Sequence, residues 1–164
     1  MQLKNTYSAR EVAALTGLSA RQLQWWDARR LFTPAVASRR TAAGGFTERR
    51  YTPVDLLELM VLADLRRQGL SVAQIRRLLE TLREKFGIRL FEAIGGTGSI
   101  TLLTDGREIF ARTTTGEFVN LLRAPDQPML VVGDIPMLKE LTARTRPARR
   151  RKAAKKPAAR AAKP

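Results

Sequence analysis

The chain has 164 residues, with 30 Lys and Arg against 15 Asp and Glu, and neither cysteine nor histidine. A formal charge of +15 favours a polyanionic partner. Without thiols or imidazoles, disulfides, thiolate metal sites and the usual neutral-pH acid–base group are excluded, and no cofactor is expected.

The charge is unevenly spread. Residues 1–89 carry 16 basic and 8 acidic side chains, residues 90–143 carry 4 and 7, and residues 144–164 carry 10 and none. Net charges of +8, −3 and +10 suggest three parts. The first residues have no apolar signal core and no apolar run approaches membrane-spanning length. A cytoplasmic, nucleoid-associated protein with no membrane partner is the expectation.

Four helix starts share one chemistry. Ser8-x-x-Glu11, Ser19-x-x-Gln22 and Ser71-x-x-Gln74 have the spacing of capping boxes, in which a hydroxyl and a returning acid or amide satisfy orphan N–H groups. "TPVD" at 52–55 places Thr52 at the N-cap, Pro53 at N1 and Asp55 at N3. Helices are predicted near 8–15, 19–30, 53–68 and 72–86, with Gly69 and Gly87 where C-terminal glycines belong. Between the second and third, "LFTPAVASRRTAAGGFTERRYT" reads as a hairpin or wing, with Arg39 and Arg40 on the way out and Arg49 and Arg50 on the way back.

After Gly87 the pattern changes. "SITLLTDGREIFAR" reads as two strands joined by a two-residue Asp105-Gly106 turn. "EFVNLL" and "MLVV" read as further strands around a turn at "APDQP", and "IPMLKELTAR" as a closing helix. "IGGTGS" at 94–99 lacks the Gly-Lys-Ser/Thr of a phosphate cradle and reads as a connector. Residues 144–164 contain only Arg, Lys, Ala and Pro apart from Thr145, and read as disordered.

Function concentrates in the second helix. Ala13, Gly17 and Leu23 have helix-turn-helix spacing: a small contact residue, a turn glycine and an aliphatic pin. With Leu23 at 0° and 100° per residue, Ala20 and Trp26 fall within about 60° of it and form the buried stripe. Arg21, Trp25 and Arg29 form a row on the opposite face. Two guanidiniums flanking an indole suit phosphates, guanine edges and a thymine methyl or sugar. The alternative is that Trp25 packs under the hairpin as satellite core. Val72, Ile75, Leu79, Leu82 and Phe86 make a stripe that serves as core or as a short dimer seam. Arg66, Arg67, Arg76, Arg77 and Arg83 either reach phosphates or form a solvated face.

"YSAREVAALTGLSARQLQWWDARRLFTP" with "RRYTPVDLLELMVLADLRRQGLSVAQIRRLLETL" resembles the mercury-resistance regulator (MerR) family of bacterial winged-helix transcription factors, over residues 6–86. The resemblance rests on the start "YSAREVAALTGLS", on Trp25, Trp26 and Asp27, on Arg50, Tyr51 and Asp55, and on residues 69–79. It implies a homodimer reading an inverted repeat in double-stranded DNA, with recognition helices in major grooves and wings on flanking backbone. It also implies promoter distortion that acts on RNA polymerase indirectly. By position it gives Arg21, Trp25, Arg39, Arg40, Arg49, Arg50 and Tyr51 as DNA contacts, and Ser19, Gln22, Gln24 and Arg29 on the second helix and its cap complete the expected DNA-binding set. Gln24 stands where the family usually has an arginine, the long dimerisation helix is interrupted at Gly87, and the Cys or His effector ligands of sensing members are absent.

The expected fold is mainly α with β additions. A winged helix-turn-helix DNA-binding domain (1–87) precedes a small β-rich dimerisation or effector region (88–143) and a disordered basic tail (144–164). The expected function is a dimeric DNA-binding transcriptional regulator rather than an enzyme, with a small-molecule effector possible. The rivals are an excisionase-like architectural factor, a nucleoid-organising protein dominated by its tail, and a small-molecule sensor or adaptor. The tail acts as a counterion-releasing arm or as a solubilising appendix.

Overall fold

The computed structural model describes residues 4–36, 38–40, 42, 44, 47–95, 98–129 and 138–142. A helical N-terminal half is followed by a sheet-rich C-terminal half. Strand β1 (Tyr7–Ser8) leads into α1 (Ala9–Thr16) and α2 (Ala20–Ala28). Ser8 and Ser19 accept the N–H groups of Glu11 and Gln22, whose side chains accept the cap N–H groups in return. Gly17, at φ 77°, ends α1 by donating its N–H to the Ala13 carbonyl at 2.9 Å, and the left-handed turn aims α2 across α1.

Helix α2 is shorter than the predicted 19–30. Arg30 takes φ 52°, and the Leu31 N–H donates to the Trp26 carbonyl at 2.9 Å, closing a Schellman-type end. A side chain in this region costs roughly 1–2 kcal/mol. The turn sends Leu31 and Phe32 into the core. Ala20, predicted in the buried stripe, is exposed as the first residue of α2, beside the exposed Ser19 cap.

A two-stranded hairpin follows: β2 (Arg39–Arg40) pairs antiparallel with β3 (Thr47–Glu48). Strand β4 (Arg50–Tyr51) then pairs with β1, Tyr51 opposite Tyr7. Thr52, Pro53 and Asp55 start α3 (Pro53–Arg67) as predicted. Of its 15 residues nine are buried, so α3 is covered on nearly every side and forms the spine of the molecule. It packs against α1, α4 (Val72–Phe86) and α5 (Leu90–Ile94). On α4, Ile75, Leu78 and Leu82 are fully buried while Val72, Leu79 and Phe86 are partly so, which makes the stripe core.

The C-terminal half is a five-stranded antiparallel sheet in the order β8-β7-β6-β5-β9. It comprises β5 (Ile100–Thr104), β6 (Ile109–Thr113), β7 (Phe118–Asn120), β8 (Ala124–Met129) and β9 (Lys139–Glu140). Leu102, Ala111 and Val119 stand side by side across three strands and are buried in the same hydrophobic cluster as α3 and α5.

Three local expectations are corrected. The β5–β6 connection has four residues rather than two. Asp105 Oδ1 accepts the N–H groups of Arg107 and Glu108 at 2.8 and 2.7 Å, and Thr104 Oγ1 accepts that of Gly106, which needs the longer loop. "APDQP" is edge strand rather than turn, where its prolines are tolerated because, among the described residues, β8 pairs on one side only. Lys139 and Glu140 lie in a strand beside β5, not a helix. The segment after Ile94 connects α5 to β5, and a Cβ on Gly98 would stand 2.8 Å from the Glu92 carbonyl oxygen. Residues 130–137 and the basic tail lie outside the described residues.

Candidate nucleic-acid interface

Amphipathicity decides which side of α2 is available. Leu23 and Trp26 face the core, Trp26 at 3% exposure. Arg21, Gln24, Trp25 and Arg29 are exposed, Trp25 at 43%. The Arg29 guanidinium carbon stands 5.6 Å from the Trp25 ring centroid, a cation–π arrangement that holds both on one face. Ser19 and Gln22 bring the N-terminus of α2 to the same surface. Gln22 Oε1 accepts the Ser19 N–H at 2.8 Å, leaving the amide nitrogen for an outside acceptor. The Arg29 carbonyl accepts from Arg76 Nη2 at 3.1 Å, which caps the C-terminal end from α4.

The hairpin residues divide. Arg49 Nε donates to Asp27 Oδ2 at 2.8 Å, with both side chains about three-quarters buried, so the return strand is clamped to α2. Arg50 is half exposed and pairs with Glu48 at 2.7 Å. Tyr51 is 1% exposed and its hydroxyl has no partner among the described residues; burial pushes its phenol pKa up. Tyr51 thus sits in the core between β1 and α3, away from the exposed α2 row. Arg39 and Arg40 lie on β2, but their side chains are outside the described residues.

The resulting surface has exposed cations from Arg21 and Arg29, an indole, and an amide from Gln24 that can read a base edge. The Asp27–Arg49 clamp makes α2 and the hairpin one unit. Sequence reasoning did not find this clamp, because no local spacing marks partners 22 residues apart. Of the buried acids of α3, local spacing marks Asp55 only as the N3 residue of its cap and does not mark Glu58. Asp55, with no exposure, accepts the N–H groups of Thr52 at 2.9 Å and Ala35 at 3.1 Å. Glu58, 4% exposed, accepts from Arg89 Nη2 at 2.7 Å and from the Phe91 N–H at 2.9 Å. These two carboxylates tie the hairpin entry and the start of α5 to α3. Among the described residues no His, Cys, Asp or Glu cluster could hold a metal, and no helix is long and apolar enough to cross a membrane.

Two helices joined at a left-handed glycine, the second with an exposed basic and aromatic face, form a helix-turn-helix motif. Residues 7–82, just under half of the chain, match the model of the MerR HTH family regulatory proteins. It is 29% identical over 117 residues to uncharacterized HTH-type transcriptional regulators of Mycobacterium bovis and Mycobacterium tuberculosis, covering 71% of this chain and 48% of theirs. It is 35% identical over 82 residues to the HTH-type transcriptional regulator TnrA of Bacillus subtilis, covering 50% of this chain and 66% of that one. The chain spans about half the length of the mycobacterial relatives it matches.

Proposed function

We propose that the protein is a DNA-binding transcriptional regulator that reads an inverted-repeat promoter site as a homodimer and distorts it, acting on RNA polymerase indirectly. The observation that carries this is the α2 face, where an exposed indole lies among arginines on a helix whose other side is fixed in the core. A helix-turn-helix half reads only a few base pairs, so useful specificity needs two copies on a dyad. Arg21, Gln24, Trp25 and Arg29 enter the major groove, with Ser19 and Gln22 at the helix start near the backbone. The β2–β3 hairpin serves as the wing, offering Arg39, Arg40 and Arg50 to phosphates. Arg49 positions that wing on α2, and Tyr51 supports it from within.

The basic tail adds affinity without sequence choice through counterion release. Footprinting over genomic fragments tests the reading. A few protected inverted repeats at promoters are expected; uniform coverage would instead mean a nucleoid-organising protein, and protection confined to recombination attachment sites an excisionase-like factor.

A further inference from the structure

Apart from the α2 face, a cavity of about 460 Å³ opens where the end of α2, α3, α4 and the approach to α5 meet. Leu31, Phe32 and Leu90 are buried and, with the part-buried Leu79 and Ile88, give it an apolar floor. Arg30, Arg83 and Arg89 stand around it, with Glu58 as the single acid in its lining. Arg89 and Glu58 neutralise each other at 2.7 Å. Arg30 and Arg83 are exposed, and neither forms an ion pair among the described residues. The lining therefore carries two uncompensated guanidiniums over hydrocarbon.

That combination selects for a ligand with an acidic head and an apolar body, since guanidinium forks bind carboxylates and related anions while the floor gains from losing water. Its size lies within the roughly 300–1,000 Å³ of small-molecule sites. A phosphate of the DNA backbone matches the arginines but not the recessed apolar floor, which it would leave wet. Arg30 holds the only left-handed non-glycine backbone among the described residues. The turn that ends α2 thereby places Arg30 in the lining.

We propose that this cavity binds a small amphipathic organic anion, its acidic group held by Arg30 and Arg83 and its apolar body laid over Leu31, Phe32, Leu79 and Ile88. Leu31 supplies the N–H that closes α2, so an occupant touches the end of the helix assigned above to DNA. The binding claim itself is read on the protein alone and is independent of that assignment.

The probe is 8-anilinonaphthalene-1-sulfonate, an aromatic body with one fixed negative charge, titrated by fluorescence into the full-length protein. Uncharged N-phenyl-1-naphthylamine is the comparison. Saturable one-to-one binding of the sulfonate is expected. Arg83→Met, on an exposed position of α4, should weaken it about tenfold, the scale of one charge-assisted contact, and leave the uncharged dye nearly unaffected. Leu79→Trp, which fills the floor, should abolish binding of both dyes. Arg107→Met, on the exposed β5–β6 loop, should change neither. Absence of saturable sulfonate binding, indifference to Arg83→Met and Leu79→Trp, or an equal loss in Arg107→Met would overturn the proposal.

Discussion

At the scale of single residues, the adjacent tryptophans carry the sharpest contrast. A rotation of 100° per residue was enough to assign one to the core and one to the surface, and Trp26 at 3% and Trp25 at 43% exposure follow that assignment. Trp26→Ala should destabilise the fold by about 3–5 kcal/mol, as for a large core truncation. Trp25→Ala should leave the melting temperature nearly unchanged and weaken DNA binding by about 1–3 kcal/mol. Thermal melts and binding isotherms on both variants decide the matter; a large loss of stability in Trp25→Ala would mean that the indole is packed. The arginines of the return strand were legible as cations but not as individuals. Arg49 spends its charge on Asp27, so Arg49→Ala should lower DNA affinity with little change in salt dependence, whereas Arg50→Ala should reduce the salt slope by about one unit. A one-unit change in the Arg49 variant would place its guanidinium on a phosphate instead.

At the scale of elements, legibility followed the range of the forces involved. The caps at Ser8, Ser19, Thr52 and Ser71 are formed within four residues of chain, and all four were readable. Strand β8 was not, because its two prolines carry a strong turn signal that only an edge position cancels. Helix α5 escaped because Glu58, more than thirty residues earlier, accepts its Phe91 N–H. The first cap has a pH signature. A hydrogen bond from Lys4 and the N–H and hydroxyl of Ser8 bring the Glu11 carboxyl down from 4.5 to about 2. A depressed folded pKa gives stability that is full above the unfolded value and lost as pH falls through the folded one. The difference in stability between wild type and Glu11→Gln should therefore be constant above about pH 5.5 and disappear between roughly pH 4.5 and 2. Urea melts across that range read it, and a difference that persisted at pH 2 would show that the carboxylate contributes nothing to the cap.

At the scale of the whole molecule, buried side chains from both sides of Gly87 meet. Leu59, Leu62 and Leu65 of α3 belong to one hydrophobic cluster with Leu102, Ile109 and Leu121 of the C-terminal half. Periodicity showed that α3 was apolar but could not say that its far side faced a sheet. A chain ending at Gly87 would leave Glu58 without Arg89 and the back of α3 open to water. It should melt without cooperativity or aggregate, by calorimetry and light scattering, and a sharp melt at the full-length temperature would mean that the halves are independent. The basic tail acts on a different scale, through charge alone. Ten positive charges within residues 144–164 should, if half engage, steepen the slope of log K against log salt by about four to five units on duplex DNA. Its removal should lower affinity for operator and random duplexes alike, and an unchanged slope would assign the tail to another partner.

The claim on which all of this depends is that the exposed face of α2 lies against DNA, and Trp25 reports it without a label. In a Trp26→Phe chain, Trp25 is the sole tryptophan, and iodide reaches it in the free protein because the ring is exposed. Iodide quenching of that emission, measured at constant ionic strength with and without a saturating promoter duplex found by footprinting, is the direct measurement. The account predicts that bound DNA shields the indole and cuts the quenching constant several-fold. Quenching that stays the same at saturation would mean that DNA is held elsewhere on the molecule.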